Sequence, residues 1–176
     1  ADFVCDINWA ADVTIMEEGT ELIDRIKHGG KLPMMTSCCP GWINFVEKVN
    51  PEVIENLSTT RSPQGIFGAL AKTYFAKKKD VNPKKLRFIS VMPCTAKKME
   101  AARDEFFHNG TPDVDLVLTT RELVDMIRET GIHLDELELE SPDLPFGLGS
   151  GAAVIYGVTG GVAESVVRHC LPDKSK

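Results

Sequence analysis

Apolar residues recur along this chain with two different periods, and the switching between them sets the expected order of elements. From Met16 to Lys27, Leu22, Ile23 and Ile26 sit among charges and the run stops at Gly29-Gly30, as an amphipathic helix ended by glycine does. Lys31 to Thr36 is a short apolar stretch that reads as a strand. Pro40 then takes the favoured first position of a second helix, whose Trp42, Phe45, Val46 and Val49 share one face. Ser62-Pro63 opens a third, with Ile66, Phe67, Leu70 and Tyr74 along its buried side and Lys77, Lys78 and Lys79 at its end, where cations suit the helix dipole. Leu86 to Met92 reads as a buried strand through Phe88, Ile89 and Val91, running directly into Pro93-Cys94. Val114 to Leu118 reads as another, after which Thr119 and Glu122 have the spacing of a capping box for a helix ending before Gly131. An acidic stretch, Asp135 to Asp143, leads to a glycine-rich segment, Phe146 to Gly161. A last helix carries Val162, Val166 and Cys170 at helical spacing.

Strands alternating with helices, without internal repeats, argue for an α/β layer fold with a mainly parallel sheet flanked by helices. In such sheets the carboxyl ends of the strands border the binding crevice. Cys38-Cys39 and Cys94 each follow a predicted strand, so both are expected to face one cleft.

Composition narrows the classes. The 176 residues are 43% hydrophobic and 26% charged, which suits one water-soluble globular domain and excludes the disordered and fibrous classes. A formal net charge of -6 gives no general attraction to nucleic acid or anionic lipid, and no run of apolar residues is long enough to span a bilayer. Neither a nucleic acid nor a membrane span is expected.

The cysteines carry more information. Cys5, Cys38, Cys39, Cys94 and Cys170 are odd in number and irregular in spacing, a poor disulfide framework. Neighbouring Cα atoms lie about 3.8 Å apart, closer than an unstrained disulfide allows. Cys38 and Cys39 are therefore expected to be reduced, which points to metal or redox chemistry inside a cell. The expected compartment is the cytoplasm, with the periplasm as the alternative. Cys39 falls at the N-cap of the Pro40 helix, where the dipole favours a thiolate, although two small core residues in a turn would look the same. No C-x-x-C pair is present, against a zinc ribbon or a bacterial ferredoxin site. Cys170 lies on an apolar stripe and reads as packing.

Other polar groups have plain explanations to set beside functional ones. Glu18, Glu21 and Arg25 share a helix face and can hydrogen-bond in series, or form a solvated ion-pair stripe; Lys97 and Glu100 present the same choice. His28, His108, His133 and His169 are dispersed and expected at the surface. Gly147 to Ala152 fits a loose dinucleotide pattern but follows a proline-containing turn rather than a strand.

The pieces together resemble one family. Thr36-Ser37-Cys38-Cys39-Pro40-Gly41-Trp42 and Met92-Pro93-Cys94-Thr95-Ala96-Lys97-Lys98-Met99-Glu100 resemble the first two signature motifs of the iron-only, or FeFe, hydrogenases. Ala11 to Glu18 before them, Ser62-Pro63-Gln64 between them and Ser150-Gly151 through Thr159-Gly160-Gly161 after them extend the likeness over nearly the whole chain. The resemblance implies parts of two α/β lobes of a catalytic domain holding the H-cluster. That cofactor is a 4Fe-4S cubane joined through a cysteine sulfur to a di-iron site with CO, cyanide and a dithiolate. By motif position Cys39 and Cys94 would bind the cubane, and Cys38 would exchange protons with the dithiolate amine. Lys97 would hydrogen-bond a cyanide, Met92 would pack near the di-iron unit, Gln64 would lie around it, and Tyr156 stands where phenylalanine is usual beside the cluster. Glu18, Glu21, Ser58 and Arg25 match the family's path for protons from the surface to Cys38.

The same resemblance implies a partial domain. The third cysteine motif, which completes the cubane, is absent from the chain, as is the segment expected before Asp2. Residues 1–176 are thus expected to be an internal piece, about half a catalytic domain, unable to hold a complete H-cluster alone. Expected partners are the missing C-terminal part of the same domain, maturation proteins and a ferredoxin or similar electron carrier. Lys72, Lys77, Lys78, Lys79, Lys84 and Lys85 form a basic cluster that suits an acidic carrier or a solvated helix end. The expected activity is reversible reduction of protons to dihydrogen. The alternatives are a non-catalytic iron-sulfur protein of cluster assembly, a sensory hydrogenase relative, and a thiol redox module; Cys38 with Glu18 and Glu21 favours catalysis.

Overall fold

A computed structural model of the chain describes residues 1–108 and 110–171. It divides into two compact units, Ala1–Cys5 with Phe67–Pro145, and Asp6–Ile66 with Phe146–Lys176. The α/β reading holds, with two strands paired in parallel and helices beside them.

The second of these units is built on α1, Asn8–His28. It starts well before the expected Met16. Its first turns, rich in alanine and closed by neither a serine nor an aspartate cap, show little polar contrast because Ala10, Ala11, Thr14 and Ile15 are all buried. They pack under α7, Gly151–Tyr156, and α8, Gly161–Cys170. A methyl at Gly19 would come 2.5 Å from the His169 ring, and the Cys170 Sγ lies 3.5 Å from the Gly19 carbonyl oxygen. This close crossing gives Cys170 its packing role. Gly29 ends α1 in the left-handed region, at φ 81°, as the sequence predicts.

The expected strand over Lys31 to Thr36 is reduced to a single parallel bridge, Met35 to Leu57. The helix α2, Pro40–Val49, begins at its proline. Of its predicted apolar face only Val46 is buried; Phe45 is 47% and Val49 60% exposed, because α2 lies against the short turn Pro51–Asn56 rather than under a second helix.

The division between the units falls within α3, Pro63–Leu70, which from Phe67 belongs to the other unit and runs on through a π-turn, Ala71–Phe75, into α4, Ala76–Lys78. The wider turn rotates the buried side by a residue. Phe75 is buried in place of the expected Tyr74, which is 54% exposed. It also turns Lys72 inward, where its Nζ meets Asp115 Oδ2 at 2.6 Å. The strand expected from Leu86 starts later, as β1, Ile89–Met92, because Phe88 N–H and the Arg87 guanidinium are both occupied by the Asp115 carboxylate. After α5, Ala96–Ala101, comes a small antiparallel hairpin that the sequence did not suggest, β2, Phe107–His108, with β3, Thr111–Pro112. The strand β4, Leu116–Thr119, pairs in parallel with β1, Ile89 opposite Leu116 through Met92 opposite Thr119. Ser90 and Val117 face inward while Ile89, Val91 and Leu116 face outward and are exposed. The capping box forms as read: Thr119 and Glu122 exchange hydrogen bonds at the start of α6, Thr120–Glu129.

Candidate functional site

The face of α1 one turn beyond Thr14 carries a buried polar network. Glu18 is fully buried, and Glu21 and Arg25 are nearly so, which rules out a solvated stripe. Arg25 clasps Glu21 Oε1 through both Nε, at 3.0 Å, and Nη2, at 2.6 Å, and donates to the carbonyls of Lys31, Glu55 and Leu57. Ser58 donates to Glu21 Oε2 at 2.7 Å, and Thr59 N–H to the same oxygen at 2.9 Å. Burial alone would raise the Glu21 carboxyl, but the Ser58 hydroxyl, Arg25 and the Thr59 N–H outweigh it and hold Glu21 below the usual carboxylate range.

Glu18 is set the opposite way. Burial pushes its carboxyl up to about 7, against the pull of the Ser37 N–H and the Ser58 hydroxyl, and the neighbouring Glu21 charge adds to the rise. Oε1 accepts from Ser37 N–H at 3.3 Å, whereas Oε2 is buried without a hydrogen-bond partner. Two carboxyls one helical turn apart are thus pushed in opposite directions, with the Ser58 hydroxyl acting on both. All four residues expected on the proton path come together here, and the half-buried Cys38 follows directly on Ser37.

The thiols expected to bind the cubane fall in different units. Cys39 is exposed at the N-cap of α2 with no capping bond from its side chain. Cys94 is exposed in the turn between β1 and α5. Three residues on, the Lys97 Nζ meets both Glu100 oxygens at 3.0 and 3.1 Å; both side chains are largely buried, not a solvated pair. Among the described residues no group of three or more histidines, cysteines or acids is placed to hold a metal ion. Cys39 and Cys94 are each an accessible thiol without a disulfide partner, the kind of donor that an iron-sulfur cluster takes. Met92 ends β1 half-buried, Gln64 is 1% exposed in the first turn of α3, and Tyr156 ends α7 half-buried.

The remaining candidates are structural. In the glycine-rich stretch Ser150 caps α7, and Asp12 on α1 accepts its hydroxyl at 2.7 Å, while Gly149 packs where a Cβ would meet Asn8. The histidines are exposed as expected, although His108 Nδ1 lies 2.7 Å from Asp113, a fully buried carboxylate. Lys72 leaves the basic cluster for the interior; Lys77, Lys78, Lys79, Lys84 and Lys85 remain exposed. The sequence reading missed Ser37, Thr59 and Asp115, although the Ser58-Thr59-Thr60 run is of the kind whose hydroxyls bond nearby backbone. Among the described residues no helix is long and apolar enough to cross a membrane.

Comparison with known proteins agrees with the motif reading. The family model "Iron only hydrogenase large subunit, C-terminal domain" matches residues 1–176. The NADP-reducing hydrogenase subunit HndD of Solidesulfovibrio fructosivorans is 51% identical over 173 residues, 95% of this chain and 30% of that protein. The cytosolic Fe-S cluster assembly factor narfl of Xenopus tropicalis is 35% identical over 180 residues, 97% of this chain and 38% of that protein. A variant of apo FeFe hydrogenase HydA1 from Chlamydomonas reinhardtii superposes with a TM-score of 0.85 at 44% identity, covering 99% of this chain and 46% of that one. The chain thus spans less than half the length of these relatives. With the family model matched from end to end, the chain belongs to the family of C-terminal domains of iron-only hydrogenase large subunits.

Proposed function

We propose that the chain is part of the catalytic domain of an FeFe hydrogenase, which converts protons and electrons to dihydrogen and back. The observation that carries this reading is the buried, titratable Glu18 beside the turn that leads into Cys38. A protein that only carries or assembles a cluster needs thiol ligands but no graded chain of acids. Proton reduction needs one.

In this reading Cys39 and Cys94 supply two cubane ligands, and the remaining ligands come from outside the chain. When bound, the H-cluster would supply the electron exchange and the iron site at which two protons and two electrons combine. The chain's own residues deliver and remove the protons. Glu21, held ionised by Arg25 and Thr59, collects a proton from the surface side and hands it to the Ser58 hydroxyl. Ser58 passes its own proton to Glu18, which is as ready to take it as to give it at neutral pH. The Cys38 thiol, one residue beyond Ser37, is the last group to hold it. Lys97, oriented by Glu100, would anchor a cyanide through its ammonium, with Met92, Gln64 and Tyr156 lining the surroundings. An electron carrier of the ferredoxin type and maturation proteins complete the system, and the cytoplasm is the compartment that suits reduced thiols.

Cys38→Ala in the protein matured with its cofactor should lower dihydrogen evolution by at least about a hundredfold, the usual worth of a positioned acid or base, while cluster content stays unchanged. Turnover at the parent level with a loaded cluster would refute the assignment. A second reading, an iron-sulfur assembly factor, is favoured by the likeness to narfl; it predicts no dihydrogen evolution from either protein.

A further inference from the structure

The single bridge between Met35 and Leu57 has an unusual continuation. Met35 N–H donates to the Asn56 carbonyl and Ser58 N–H to the Met35 carbonyl, each at 2.7 Å, which is one full rung of a parallel ladder. The next rung of such a ladder would send Ser37 N–H to the Ser58 carbonyl and Thr60 N–H to the Ser37 carbonyl. Neither donor goes there. Ser37 N–H points to Glu18 Oε1 at 3.3 Å, and Thr60 N–H to Ser58 Oγ at 3.1 Å. What joins the two segments instead is the Ser37 hydroxyl, which donates to the Thr60 carbonyl at 2.7 Å.

We propose that Ser37 is a positioning residue for proton transfer: its hydroxyl takes over the ladder's second rung and so releases its own backbone N–H for the Glu18 carboxyl. This rests on the relay reading above. Thr60 ties the two ends together, since its carbonyl holds Ser37 and its N–H holds the Ser58 hydroxyl that serves Glu21. Removing the Ser37 hydroxyl lets the backbone zip into the ordinary ladder. The N–H then turns to Ser58, and Glu18 loses the one hydrogen bond from backbone that favours its charged form. The other charged and titratable groups of α1 are Asp12, Glu17, Glu21, Asp24, Arg25, Lys27 and His28; Cys38 lies beyond Ser37, and Tyr156, Glu164, Arg168, His169 and Cys170 are on the packed helices α7 and α8. None of them changes in the variant.

The test is an infrared titration of the protonated Glu18 carboxyl band, assigned by its loss in Glu18→Gln, together with the pH profile of dihydrogen evolution in the matured protein. In Ser37→Ala the band's midpoint should rise by up to about one pH unit, the scale of one backbone hydrogen bond to a carboxylate, and the limb of the pH profile should move with it. Ser37→Thr, which keeps the hydroxyl, should restore both. Ser37→Val, isosteric with threonine and without the hydroxyl, should behave as the alanine variant does, and it stands in should the alanine variant not fold. A parental midpoint in either hydroxyl-free variant overturns the proposal. Unchanged turnover in Glu18→Gln would instead sink the relay reading, while the band would still decide the role of Ser37.

Discussion

Glu18→Gln should make the protein more stable and less active, and the gain should depend on pH. Carrying the Glu18 carboxyl from its ordinary 4.5 to about 7 on folding corresponds to about 3 kcal/mol, at about 1.4 kcal/mol per pH unit. Between those two pH values the folded chain keeps a proton that the unfolded chain has released. The stability owed to Glu18 is therefore complete below pH 4.5, declines as pH rises, and is fully lost above 7. Glutamine is neutral throughout and has no such slope. Relative to the parent, Glu18→Gln should gain little near pH 4.5 and about 3 kcal/mol by pH 8. Burying an amide where Oε2 now lies unpartnered adds an offset, but the offset does not vary with pH, so the slope is the quantity to read. Urea denaturation of the cofactor-free protein at a series of pH values from 4.5 to 8, followed by circular dichroism, measures it. Parallel stability curves for the two proteins would refute the argument. A matching loss of dihydrogen evolution in the matured variant would show that the fold carries this destabilising acid for its chemistry.

Two further outcomes test the packing of the other unit. Asp115→Ala removes the counter-charge of the buried Lys72, leaving its ammonium on the Leu86 carbonyl, and frees Phe88 N–H, so it should cost about 3–5 kcal/mol, whereas Lys72→Met leaves Asp115 with Arg87 and Phe88 and should cost about 1–2 kcal/mol; equal urea midpoints would contradict this asymmetry. Gly68→Ala puts a Cβ 2.7 Å from the Asp113 carbonyl oxygen and 2.9 Å from Val114 Cγ2. A melting temperature unchanged from the parent would be inconsistent with the expected overpacking cost of about 1–3 kcal/mol.

Local chemistry was readable where short-range rules decide the outcome. Pro40 opens its helix, Gly29 closes α1, and Thr119 with Glu122 caps α6, because each rests on residues within a few positions. That Glu18, Glu21, Arg25 and Ser58 belong together was legible from their motif context, whereas their spacing alone did not tell a buried network from a solvated stripe. What failed depends on distant partners. Lys72 reads as surface charge until Asp115, far along the chain, is known to lie beside it. Tyr74 and Phe75 exchange places through a π-turn that no residue pattern announces. The strand expected at Lys31 to Thr36 stops after one rung because the donors of the next one, Ser37 N–H and the facing Thr60 N–H, are spent on side chains.

The discontinuous make-up of the unit containing Glu18 sets a constraint on how it is made. The buried face of α1, Ala10 through Gly19, is covered by α7 and α8, which begin only at Gly151 and Gly161. A ribosome adding about 5–20 residues per second releases α1 on the order of ten seconds before its cover exists. Throughout that interval the helix can be neither packed nor dry, so the Glu18 carboxyl meets water and titrates as an ordinary acid. The pH sensitivity of the site is acquired only when α7 and α8, made well after α1, close over it.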